Sequence, residues 1–112
     1  MADPNQYNVG ESIVWGARFS RRTTTVGVPA TDVALDMTTC TLAVTDPSGA
    51  VTNTSIGAMR HPETGRYEAD TVTTLPGKYA AKWTGVTTYI DEQLNNRSYT
   101  AIETDEAFVV SP

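Results

Sequence analysis

Apolar and polar residues alternate one by one in several short runs of this sequence, and most of the runs are bounded by Gly or Pro. Tyr67, Ala69 and Thr71 fall on one side of such a run, with Arg66, Glu68 and Asp70 on the other. Tyr79, Ala81 and Trp83 likewise oppose Lys78, Ala80 and Lys82. Ile13, Trp15, Ala17 and Phe19 repeat the pattern near the start, and Cys40, Leu42 and Val44 repeat it further along. A period of two is the mark of a half-buried β-strand, because successive side chains point to opposite faces of a sheet. Within this frame Gly65-Arg66-Tyr67 recurs as Gly77-Lys78-Tyr79. Each Gly ends a turn, each basic residue sits on the solvent side of a strand entry, and each Tyr plugs one end of the core. The repeat is architectural: it marks how two strands begin.

Turn chemistry supports the same reading. Asp46-Pro47-Ser48-Gly49 suits a tight turn, with Pro presetting φ and Gly at the last position, so residues 50–55 return as a hairpin partner of 39–45. Residues 20–32, rich in Thr, Gly and Pro, read as a long connection, and no convincing amphipathic helix is present. About seven short strands separated by turns indicate an all-β, antiparallel sandwich with little or no helix. At 112 residues the chain fits one domain. Its expected organisation is a flexible N-terminal arm over residues 1–8, followed by a single sandwich domain over 9–112. The predicted core comprises Trp15, Phe19, Leu42, Val44, Tyr67, Tyr79, Trp83 and Phe108, with Phe108 and Val110 taken as inward on the last strand.

The composition excludes several kinds of chemistry. A net charge of -5 provides no basic patch for tracking phosphates, so no nucleic-acid partner is expected. No apolar run approaches the roughly 20 residues of a membrane span. The first residues show neither the basic nor the apolar region of a secretory signal, so export by that route is not expected. One Cys cannot form an intrachain disulfide, and Cys40, inward between two Thr, reads as a small apolar core residue. His61 is the only His and lies between predicted strands, where a solvated loop residue belongs. The sequence HPETG at residues 61–65 resembles a sortase signal with His in place of Leu, but it sits mid-chain without an apolar tail. Glu103, Asp105 and Glu106 lack the spacing of a calcium loop and suit a strand edge guarded by charge. The expectation is a non-enzyme with no catalytic residue, no cofactor and no metal.

Residues 84–100 read as a long insertion with more apolar content than an idle loop requires. Tyr89, Ile90, Leu94 and Tyr99 are the candidate partner-binding residues, since apolar anchors with a charged rim are typical of interfaces. The alternative is that they fold back over one end of the sandwich. The polar N-terminal arm is a second candidate contact.

Three segments together carry a family resemblance. "YNVGESIVWGARF" (7–19), "LAVTDPSGAVT" (42–52) and "TGRYEADTVTTLPGKYAAKWTG" (64–85), with "ETDEAFVV" (103–110) closing the chain, resemble the small Ig-like structural proteins of tailed-bacteriophage virions. The resemblance implies a non-enzymatic virion protein with an Ig-like sandwich, assembled in the host cytoplasm and partnered by the major capsid protein or other virion proteins in many copies. A capsid decoration protein on the outside of the head shell is the leading expectation, and self-association is compatible with it. A neck or tail accessory protein is an alternative in the same class. A host-surface or glycan-binding Ig-like adhesion module is the alternative from another.

Overall fold

The computed structural model describes residues 6–111. They form ten strands: β1 (Gln6–Asn8), β2 (Ser12–Arg18), β3 (Ser20–Arg22), β4 (Asp32–Ala34), β5 (Thr39–Thr45), β6 (Val51–Ser55), β7 (Arg60–Glu63), β8 (Arg66–Val72), β9 (Gly77–Ile90) and β10 (Asn96–Val110). The only helical element among them is one 3-10 turn, Ile56–Ala58. The fold is all-β. Ten strands rather than about seven arise because three-residue strands form at β1, β3 and β4, runs too short to show a period.

One sheet runs β1-β10-β9-β5-β6 and a second runs β2-β8-β7, while β3 and β4 pair as a separate hairpin. That order reproduces an Ig-like sandwich, with β10, β9 and β5 in the places of strands G, F and C, and β2, β8 and β7 in those of B, E and D. The predicted hairpin forms across Asp46–Gly49, where the Asp46 carboxylate accepts from the Ser48 and Ala50 N–H groups at 2.9 and 3.0 Å.

The two Gly-basic-Tyr strands, β8 and β9, lie in opposite sheets. Their connection therefore crosses the sandwich, and Tyr79 secures the crossing. Its hydroxyl accepts from the Thr74 and Leu75 N–H groups at 3.1 and 3.2 Å. A Tyr at the start of strand F bonded to backbone just upstream is the tyrosine corner of Ig-like folds. Tyr67 does a related job from the other sheet, accepting from the Met37 N–H at 2.9 Å.

Seven of the eight predicted core residues are buried: Trp15, Phe19, Leu42, Val44, Tyr67, Tyr79 and Trp83. Phe108 is not; it is 51% exposed, and Val110 is also on the outer face. The register explains the difference. Ala107 lies opposite buried Tyr79 and Val109 opposite Gly77, so these two face inward and their neighbours face out. Small Ala107 leaves room for the Tyr79 ring. Where antibody domains carry a Cys two residues after that Tyr, this chain has Ala81, and no disulfide bridges the layers. Trp15 and Trp83 fill the interior instead, both 1% exposed.

Gln6–Asn8, expected within the N-terminal arm, instead pairs in parallel with Phe108–Val110 as β1. Residues 1–5 lie outside the described residues. Residues 84–100 are no loop insertion but the outer half of a continuous β9–β10 hairpin. A fifteen-residue strand such as β10 spans roughly 50 Å, and the hairpin gives the molecule its long axis of 56 Å.

Candidate docking surface

Beyond Val86, β9 loses its pairing with β5, so the distal β9–β10 hairpin continues as a two-stranded ribbon. Such a ribbon is marginal on its own. The β3–β4 hairpin covers its inner face and makes it firm. Arg21 of β3 chelates Glu92 with two nitrogens at 3.2 and 2.8 Å, and its guanidinium lies 4.7 Å from the Tyr89 ring centroid. Glu92 also accepts from the Thr24 N–H at 2.8 Å, and Gln93 donates to the Thr24 carbonyl at 2.8 Å. These contacts lock the loop after β3 to the hairpin tip.

Asp91 shapes the turn from within. Its buried carboxylate accepts from the Gln93 and Asn95 N–H groups at 3.0 and 2.9 Å and from Arg97 Nε at 2.8 Å. The Asn95 N–H, then Arg97 and the Gln93 N–H, hold this carboxyl below its ordinary range. The resulting turn puts Leu94 at φ +64, the one non-Gly residue with positive φ among those described. Leu94 is also 85% exposed. A branched-chain residue in the left-handed region is strained, and strain of that kind collects at functional sites.

The four candidate partner-binding residues divide by register. Tyr89 and Tyr99, at odd positions, face inward and are half-buried, and Tyr89 supports Arg21. Ile90 and Leu94 point to solvent. Val26 and Val28, in the tethered β3–β4 loop, are exposed as well. Sequence reasoning missed these two valines, since nothing local ties residues 25–30 to residue 93. Their end of the sandwich carries the B–C and F–G connections, the end at which antibody variable domains present binding loops.

Glu92 makes the lock dependent on pH. The Arg21 guanidinium, followed by the Thr24 N–H, pulls its carboxyl from 4.5 down to about 2. A carboxylate whose folded pKa is depressed contributes its contact fully above the unfolded value and loses it as pH falls through the folded one. The tip should therefore stay tethered at pH 4.5 and release as pH falls towards 2. In an NMR titration the Thr24 amide shift of the parent should have its midpoint near 2, and Arg21→Ala should move that midpoint up towards 4.5. A parent midpoint at the ordinary Glu value would contradict the lock.

The remaining reactive side chains are placed as follows. His61 lies on β7 rather than in a loop; its Nε2 is 2.8 Å from Asp36 Oδ1, and its ring stacks on Tyr67 at 4.5 Å. Asp36 also accepts from the Gly65 N–H at 2.7 Å, which with His61 keeps its carboxyl below the ordinary range. This pair pins the β4–β5 connection against the β7–β8 turn. Cys40 is buried, and burial pushes its thiol up to about 11. Among the described residues no three His, Cys, Asp or Glu side chains converge to hold a metal ion. A shallow depression of about 800 Å³ lies on the outer face of the five-stranded sheet. Ala43 and Ala80 are among its lining residues, with Phe108, Lys78 and Lys82 around them. Lys78 is paired with Glu106 at 3.1 Å. No helix among the described residues is long and apolar enough to cross a membrane. The chain matches no family model, no curated protein and no solved structure.

Proposed function

We propose that this is a non-enzymatic structural protein of the tailed-phage virion, a capsid decoration protein that docks through its B–C/F–G end. One observation carries the docking part: Val26, Val28, Ile90 and Leu94 are all exposed on two connections that Glu92 and Asp91 hold rigid. An idle end does not need exposed apolar side chains on tethered segments, whereas a docking site gains affinity from them because less ordering is required on binding. The virion part rests on the resemblance of the three sequence segments. Arg97, exposed beside the hairpin tip, supplies polar rim character of the kind interfaces carry.

Co-sedimentation with purified undecorated capsids of the cognate virion tests the reading. The parent should pellet with the shells. Ile90→Ser should weaken binding by roughly 1–2 kcal/mol, as for a central interface residue, while Lys82→Ala on the sheet face should bind like the parent. A parent that stays in the supernatant removes the capsid assignment. If Ile90→Ser pellets as the parent does, the contact lies elsewhere.

A further inference from the structure

The sheet has one long unpaired edge. β10 pairs with β9 along nearly its whole length, but its other side meets β1 only at Phe108–Val110. From Asn96 to Ala107 that side has no strand neighbour among the described residues. Alternate backbone N–H and C=O groups there face outward, and an exposed edge of this length is a template for another strand.

The charges along this edge are unevenly distributed. Arg97 is near one end; Glu103, Asp105 and Glu106 are near the other. Glu103 and Asp105 are exposed and have no cation within 4 Å among the described residues. Arg97 uses its Nε for Asp91, which leaves its terminal nitrogens for a second carboxylate. Inward-pointing acids on an edge strand ordinarily block pairing. A parallel, in-register stack would indeed set each acid against its own copy. An antiparallel pair does the reverse.

We propose that β10 pairs with β10 of a second copy of this chain, antiparallel about a two-fold axis through Ala101. Residues directly opposite must share a face, so the axis passes through a residue rather than between two. An axis at Ala101 or at Ile102 gives the longest overlap that the open edge permits. The axis at Ala101 places Arg97 against Asp105 twice, Tyr99 against Glu103, and Asn96 against Glu106. The axis at Ile102 places Arg97 against Ala107 and makes no ion pair. The overlap is roughly 37 Å long and forms about ten backbone hydrogen bonds. It joins the two large sheets into one and stops short of the segment that β1 covers.

This pairing does not depend on the docking role proposed above, and its test uses no capsid. Sedimentation velocity of the full chain should give a dimer. Asp105→Arg turns both ion pairs into repulsions and should raise the dissociation constant roughly tenfold or more, with circular dichroism unchanged. In a Cys40→Ala background, Ala101→Cys faces its own copy and should form a covalent dimer under mild oxidation. Thr104→Cys faces Ser98 of the second copy and should not. A monomer at every concentration, or equal cross-linking at positions 101 and 104, overturns the proposal.

Discussion

Trp83→Ala should cost about 3–5 kcal/mol, a large part of the 5–15 kcal/mol that holds a small domain together. Trp83 is 1% exposed and lies between Leu42 on one neighbouring strand and Glu103 on the other. No disulfide compensates for the cavity that its loss would leave. The indole adds a second expectation. Its Nε1 has no hydrogen-bond partner among the described residues, whereas Trp15 Nε1 donates to Thr71 at 3.0 Å. An unpaired buried donor is a cost already present in the folded state, so Trp83→Phe removes that cost along with some volume and should lose much less than Trp83→Ala. Urea unfolding monitored by circular dichroism checks both. An Ala variant that unfolds at the parent's midpoint would mean that the register of β9 is wrong.

Gly65→Ala should be the second severe change, at about 2–4 kcal/mol from left-handed strain plus an overpacked contact. Gly65 sits in the β7–β8 turn at φ +75, and a Cβ there would lie 2.5 Å from the Phe19 carbonyl oxygen and 3.0 Å from the Leu35 nitrogen. Both are backbone atoms in a hydrogen-bonded cluster. The Phe19 N–H donates to the Gly65 carbonyl at 2.7 Å, and the Leu35 N–H donates to the Phe19 carbonyl at 3.0 Å. None of these atoms can move without breaking that network. The Gly65 N–H also supports Asp36, so the variant should disturb the His61 ring in NMR as well as lower the melting temperature. Parent-like stability would show that the turn adopts another conformation.

Much of the sandwich was legible in the sequence because its signals are local. β2, β5, β8 and the first half of β9 place large apolar residues against polar ones, and Asp46–Gly49 carries its own turn chemistry. The distal hairpin was hidden because Gly85, Thr87 and Asp91 on its inward side give no apolar contrast, which leaves the inward Tyr89 and Tyr99 without a visible period. Gly85 is small for a reason: a Cβ there would lie 2.7 Å from Met37 Sδ and 2.8 Å from Phe19 Cε1. The turn was hidden too, since its left-handed position is filled by Leu94 instead of the Gly or Asn that usually marks it. The placing of β8 and β9 in different sheets, and the inward parity of Ala107 over Phe108, depend on pairing between distant segments. For the proposed docking surface, composition singled out residues 84–100, and only the register separates the exposed Ile90 and Leu94 from the two half-buried tyrosines.

The central claim is that Leu94 is held exposed and strained for a contact and not for the fold. Leu94→Gly tests it most directly, with thermal unfolding and capsid co-sedimentation measured on the same preparation. Glycine relieves the left-handed strain, and the exposed side chain contributes little packing, so stability should rise by about 1 kcal/mol. Capsid binding should fall at the same time. A variant that is more stable and still binds as tightly as the parent would contradict the claim.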